Sequence, residues 1–334
     1  MQAQKLTYTD EVAASTAPFY SRVAKFYPEA QWRALAPYVH EINRLKREKN
    51  AVILAHNYMT PDIFHCVADV VGDSLALARE AAKSKADIIV QAGVHFMAET
   101  AKVLNPDKVV LMPDMRAGCS LAESITAEDV RNLRQKYPGV PIITYVNTSA
   151  EVKAESDVCC TSGNAVKIVE GLDVPEVVMI PDQYLAAYTA ARTKVKVHTW
   201  QGACEVHERF KATDVKRFKT LGSNVVVLAH PECPPEVIEA ADYTGSTQQM
   251  IQYVEKQKPQ KVVMITECSM SDNVSSAHPD IEFLSGCRMC PHMKRISLPK
   301  ILHSLQTMTT PIEIDPAIAG RARKAVEKML ELSA

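Results

Sequence analysis

The sequence predicts an α/β fold of three pseudo-threefold-related αβα subdomains, with small parallel sheets set around a central site. Three observations carry this expectation: a faint internal triplication, short apolar strands alternating with helices, and a cysteine at the end of each copy. The copies open on Val52-Ile53-Leu54-Ala55 before His56, Ile142-Ile143-Thr144 before Tyr145, and Val226-Val227-Leu228-Ala229 before His230. Small-residue turns follow at Gly72-Asp73-Ser74, Thr161-Ser162-Gly163 and Gly245-Ser246-Thr247. From opening residue to turn serine the spacing is 18, 17 and 16 residues, and from that serine to Cys119, Cys204 and Cys290 it is 45, 42 and 44. A registered repeat puts equivalent residues in equivalent places, so the three thiols are expected to converge on one axis.

Residues 1–48 carry Tyr, Trp and charged residues at loosely helical spacing and predict helices on the outside of the first copy. The copies span 49–135, 136–220 and 221–308, and 309–334 forms a C-terminal helix packed back on the body, opened by Asp315-Pro316. In copy one, Gly72-Asp73-Ser74 opens a helix over 75–84, followed by a strand at 88–90, a helix over 96–104 and a strand at 109–111. Copy two repeats this with a helix over 165–170, a strand at 177–180, a helix over 184–191 and a strand at 195–198. Copy three gives a helix over 247–256, a strand at 262–265, a poorly periodic segment 268–280 and a strand at 281–283. Such alternation argues for parallel sheets covered on both faces, with ligands at the carboxyl ends of the strands.

At 334 residues the chain is long enough for two or three domains, in keeping with units of about 85 residues. A net charge of −1 points to neither a nucleic-acid groove nor a membrane-attracted surface. No stretch approaches the roughly 20 apolar residues of a membrane span, and residues 1–11 lack the apolar core of a signal peptide, so a cytoplasmic protein is expected. Nine cysteines at uneven spacing read as metal-binding or catalytic rather than as a disulfide framework, with Cys66 and Cys268 bland and Cys159-Cys160 packing.

Three cysteines without a fourth in register suit a [4Fe-4S] cluster with one iron open to substrate. Zinc on the same thiols, with His207 or His292 as fourth ligand, is the competing metal, and three unrelated buried thiols the bland alternative. Cys287-Arg288-Met289-Cys290 is a C-x-x-C, so Cys287 is either an idle thiol or a neighbour that forms a disulfide with Cys290 and so dismantles the site on oxidation. The three turns sit at helix N-termini, where free N–H groups and the helix dipole favour anions; singly each is an ordinary cap, but three together fit a substrate with several carboxylates or phosphates. After each first strand stand two polar residues at i and i+2, which face the same way: His56 and Tyr58, Tyr145 and Asn147, His230 and Glu232. Tyr58 and Glu232 are natural proton carriers, and the histidines natural donors to a carboxylate or carbonyl.

These residues stand in Ala55-His56-Asn57-Tyr58, Gly72-Asp73-Ser74-Leu75, Pro113-Asp114-Met115-Arg116-Ala117-Gly118-Cys119-Ser120 and Tyr145-Val146-Asn147-Thr148. They continue through Thr161-Ser162-Gly163-Asn164-Ala165, Trp200-Gln201-Gly202-Ala203-Cys204 with His207, His230-Pro231-Glu232-Cys233, Gly245-Ser246-Thr247 and Cys290-Pro291-His292-Met293-Lys294. In this order, from about residue 33 to the last helix, the motifs resemble the quinolinate synthase family. The resemblance implies a [4Fe-4S] cluster on Cys119, Cys204 and Cys290. It implies condensation of iminoaspartate, supplied by an aspartate oxidase or dehydrogenase, with dihydroxyacetone phosphate to quinolinate in de novo NAD synthesis, with loss of phosphate and two waters. Carried across by motif, His56, Ser74, Tyr145, Asn147, Ser162, His230, Glu232 and Thr247 would hold the substrates, Tyr58 and Glu232 would move protons, and His207 would lie close to the cluster. Some family members carry a third cysteine in C-x-x-C-x-x-C where Leu284 stands here, which puts that motif's thiol chemistry in doubt. A non-catalytic iron-sulfur sensor or scaffold and a three-cysteine zinc hydrolase are the rival readings.

Overall fold

The computed structural model describes residues 6–222 and 224–333. The first five residues of the expected N-terminal extension, residue 223 of the expected third copy and residue 334 of the expected C-terminal segment lie outside the described residues.

Three four-stranded sheets, parallel throughout, form the body. The first holds β1 (Ala51–His56), β2 (Val70–Gly72), β3 (Ile88–Ala92) and β4 (Val109–Leu111) in the order β2-β1-β3-β4. The second holds β5 (Ile142–Tyr145), β6 (Val158–Cys160), β7 (Glu176–Ile180) and β8 (Lys196–Thr199) in the order β6-β5-β7-β8. The third holds β9 (Val225–Ala229), β10 (Tyr243–Thr244), β11 (Lys261–Ile265) and β12 (Glu282–Leu284) in the order β10-β9-β11-β12. Central strands such as β3 are buried along their whole length, which is why they read as continuous apolar runs rather than alternating ones.

Each sheet has one strand more than the sequence reading predicted. The additional strands, β2, β6 and β10, have only three, three and two residues, too few for any period to show. An aspartate precedes each of them and pins it to its neighbour. Asp69 Oδ2 accepts the Ile53 N–H at 2.8 Å, Asp157 Oδ2 the Ile142 N–H at 2.7 Å, and Asp242 Oδ2 the Val227 N–H at 2.8 Å. This repeated aspartate also corrects the register of the third copy. Ser74, Ser162 and Thr247 each lie five residues beyond it, so the equivalent of the two serines is Thr247 and not Ser246. Ser246 instead caps the helix Thr247–Gln257, its hydroxyl accepting the Gln249 N–H, as Asp73 caps the helix Ser74–Lys83.

The segment 268–280, which has no apolar stripe to read, contains the helix Cys268–Ala277. Helices Asp10–Val23 and Glu29–Glu48 lie outside the first unit, the second burying Trp32, Val39 and Ile42. The final helix, Pro316–Leu332, reaches across two units: the Ser333 carbonyl accepts from Arg79, and the Ser333 hydroxyl from Asn164. Among the described residues no helix is long and apolar enough to cross a membrane.

Candidate active site

The carboxyl ends of the three sheets face one central cavity. The first unit lines it with His56, Tyr58, Ser74 and Cys119, and the second with Tyr145, Asn147, Ser162, Cys204 and His207. The third contributes His230, Glu232, Thr247 and Cys290, so every site residue named from the sequence lines the same space.

The cysteines are presented by one construction used three times. Two residues before each, the loop is tied to the segment after the third strand: His95 N–H donates to Ala117 O at 2.8 Å, Gln183 N–H to Gly202 O at 2.9 Å, and Arg288 N–H to Thr266 O at 3.1 Å. Each cysteine carbonyl then accepts the N–H four residues on, from Glu123, Glu208 and Lys294 at 3.0, 3.0 and 3.2 Å. The turn so formed aims two backbone N–H groups at each sulfur: Leu121 and Ala122 at Cys119, Val206 and His207 at Cys204, His292 and Met293 at Cys290. Without a cation, burial keeps these thiols protonated and pushes Cys119 up to about 12, with the Glu232 and Cys290 charges adding to the rise. Three convergent free thiols, each pre-equipped with two N–H donors, fit a metal centre bound through thiolates.

Cys287 is not paired with Cys290. It forms a disulfide with Cys268, the first residue of the helix Cys268–Ala277, so the alternative of a Cys287–Cys290 bridge gives way to one that leaves Cys290 free. The C-x-x-C spacing misleads because the helical turn begun by Cys290 carries its sulfur towards the cavity, whereas Cys287 stays beside the neighbouring loop.

The two histidines are locked in one tautomer by their own loops. The Tyr58 N–H donates to His56 Nδ1 at 3.2 Å and the Glu232 N–H to His230 Nδ1 at 3.4 Å, so in each neutral ring Nε2 carries the proton. Burial holds both His56 and His230 near a pKa of about 3, which keeps them uncharged donors at neutral pH. Burial works against the charge of Glu232, yet hydrogen bonds from His207 and Tyr145 hold its carboxyl below the usual carboxylate range. Tyr58 and Tyr145 are pushed well above the usual phenol value, first by burial and then by Glu232. The Asn147 side-chain oxygen is buried without a hydrogen-bond partner.

Sequence reading missed three contributors. Thr266, fully buried, touches both Tyr58 and His207 through its hydroxyl. Glu267 lines the cavity and caps the helix Cys268–Ala277, and Lys294 reaches it at 2.8 Å. An acid two residues past the end of the third strand recurs as Asp182 in the second unit, the one signal that pointed to Glu267. His207 Nδ1 lies 2.7 Å from Glu232 and 3.2 Å from Cys204 Sγ, so Cys204, His207 and Glu232 together could also hold a cation.

Fold and site define a three-unit α/β protein with a central polar cavity and three thiols fit for a metal. Residues 40–331 match the family model described as quinolinate synthetase A protein. The chain is 61% identical over 319 residues to quinolinate synthase 2 of Mesorhizobium japonicum, covering 96% of this chain and 98% of that one. It is 59% identical over 318 residues to the quinolinate synthase of Agrobacterium fabrum, covering 95% and 92%, and 58% identical over 327 residues to that of Sinorhizobium fredii, covering 98% and 91%. The chain belongs to the quinolinate synthetase A family.

Proposed function

We propose that the protein is a quinolinate synthase that condenses iminoaspartate with dihydroxyacetone phosphate, releasing phosphate and two waters, and that Cys119, Cys204 and Cys290 hold a [4Fe-4S] cluster. The observation that carries the reading is the convergence of the three cysteines on a cavity whose other walls combine neutral hydrogen-bond donors with an ionised carboxylate. When bound, the cluster supplies a Lewis acid at an iron without a protein ligand.

The chain's own groups do the rest. His56 and His230 offer Nε2–H donors to carboxylate or carbonyl oxygens. Ser74, Ser162 and Thr247 offer hydroxyls near helix starts, where anions are favoured. Asn147 supplies an unpaired amide oxygen for the imine or hydroxyl protons of a substrate. Glu232, ionised and buried, accepts a proton during isomerisation, and Tyr58, a neutral phenol, exchanges one with the substrate. His207 between Glu232 and Thr266 links these two groups, with Tyr145 donating to Glu232.

The deciding experiment is iron, sulfide and zinc content of anaerobically purified protein, with a quinolinate assay, on the wild type and on Cys119→Ala, Cys204→Ala and Cys290→Ala. A brown protein with iron and sulfide, lost in each variant together with quinolinate formation, is expected. Stoichiometric zinc in a colourless protein would favour a hydrolase, and a cluster without quinolinate formation a sensor; either outcome would overturn the proposal.

A further inference from the structure

The loop that carries Tyr58 belongs to the first unit, but its backbone is held by the third. Three consecutive carbonyls are gripped from that side: Asn57 O and Met59 O accept from Asn273 Nδ2 at 3.1 and 2.8 Å, and Tyr58 O accepts from Lys294 Nζ at 3.0 Å. Lys294 spends its other two donors on Ser269 Oγ at 2.6 Å and Glu267 Oε1 at 2.8 Å. An ammonium group has three protons, so each is committed and none is left for a substrate. Glu267 Oε1 also accepts the Cys290 N–H at 3.3 Å, while Oε2 accepts the Ser269 N–H at 2.8 Å. One buried carboxylate therefore joins the loop of a cluster cysteine to the lysine that fixes the Tyr58 main chain.

We infer that Lys294 and Asn273 are positioning residues that set the reach of the Tyr58 phenol into the cavity and lock it to the Cys290 loop. The inference rests on the proton role proposed for Tyr58. Neither side chain is assigned any contact with substrate. A phenol hinged at a free carbonyl would swing about the Tyr58 backbone, and a displacement of about 1 Å at a reacting group costs up to roughly 100-fold in rate. The Tyr58 hydroxyl contact with Thr266 limits that swing at the other end, so both ends of the residue are anchored on the third unit.

The test is a double-mutant cycle on anaerobically prepared holoenzyme. The kcat and KM for quinolinate formation are measured for Lys294→Met, Asn273→Ala, Tyr58→Phe and each pair with Tyr58→Phe, with iron content determined on all. Lys294→Met is also made with Glu267→Gln, so that no buried charge is left unpaired. Expected are a loss in kcat of about 10- to 100-fold for Asn273→Ala and for the Lys294→Met/Glu267→Gln pair, KM within about threefold, iron retained, and little further loss in the Tyr58→Phe background. Losses that multiply with that of Tyr58→Phe, or kcat unchanged in Asn273→Ala, overturn the inference while leaving the proposed function standing. Unchanged kcat in Tyr58→Phe itself overturns the proton role of Tyr58, and this inference with it.

Discussion

The Thr266 hydroxyl oxygen lies 2.6 Å from the phenol oxygen of Tyr58 and 3.0 Å from His207 Nε2. A hydroxyl carries a single proton, so the two bonds constrain each other. With Glu232 ionised, His207 Nδ1 at 2.7 Å is the donor to its carboxylate, and in a neutral ring Nε2 is left to accept. Thr266 and His207 therefore tie the Tyr58 phenol to the Glu232 carboxylate through one chain of hydrogen bonds.

Thr266→Val keeps the shape and removes the hydroxyl, so kcat for quinolinate is expected to fall on the order of 100-fold with KM little changed. Thr266→Ser, which keeps the hydroxyl, is expected to stay within a few-fold of wild type. Steady-state kinetics on matched holoenzyme preparations checks both, and a loss in Thr266→Ser larger than that in Thr266→Val would make the methyl group, not the hydroxyl, the important part.

Glycine at 202 is dictated by the approach of backbone to backbone. A Cβ there would stand 2.5 Å from Pro181 O and 2.5 Å from Ser124 Oγ, in the loop that presents Cys204. Gly202→Ala is therefore expected to displace that loop and deplete bound iron, at a cost of about 1–3 kcal/mol in stability. Gly320, inside the helix Pro316–Leu332, has nothing within 4 Å of its added Cβ, and Gly320→Ala is expected to stabilise by about 0.5–1 kcal/mol. Iron analysis and denaturant unfolding of the two variants give the comparison.

The site was largely legible because it is built by repetition. Residues such as His56, Tyr145 and His230 sit at strand ends that apolar runs announce, and the cysteines keep nearly constant spacing from the turns. Thr266 and Lys294 were illegible for the opposite reason. Their roles lie in contacts between units, and Lys294 in Cys290-Pro291-His292-Met293-Lys294 looks like any surface lysine until Tyr58 is brought beside it. The helix Cys268–Ala277 escaped because its buried face is made of Ser269, Met270, Asn273, Val274 and Ser275, where hydrogen bonding replaces an apolar stripe. The one-residue slip at Ser246 arose from matching serine to serine, when the structural equivalent of Ser74 is a threonine.

The disulfide between Cys268 and Cys287 predicts a definite peptide map. Alkylation of air-exposed protein without reductant, followed by proteolysis and mass spectrometry, is expected to yield a Cys268–Cys287 cross-linked pair and alkylated peptides of Cys119, Cys204 and Cys290. A Cys287–Cys290 loop in that digest would contradict the arrangement, since Cys290 could not then serve the cavity. Because neither bridged cysteine is among the three convergent thiols, Cys287→Ser is expected to retain its iron.

Stability of the metal-free protein is expected to carry the signature of buried neutral histidines. His56 and His230 have folded pKa values of about 3, depressed by burial, against about 6.5 for an unfolded histidine. A depressed folded value means that the unfolded chain binds the proton first. Their contribution is therefore fully present above pH 6.5 and is lost as pH falls from there towards 3, at about 1.4 kcal/mol per pH unit for each ring. The buried carboxyls of Asp73 and Glu267, raised by burial, act in the opposite sense and would mask part of this slope in the wild type. His56→Asn removes one histidine while leaving those carboxyls in place, so the difference between variant and wild type isolates the term. Denaturant unfolding at pH 7.0, 6.0 and 5.0 is expected to bring the two proteins closer together in stability at each step down. A gap that stays constant over that range would mean that His56 protonates as readily in the folded protein as in the unfolded one, and its assignment as a permanently neutral donor would fail.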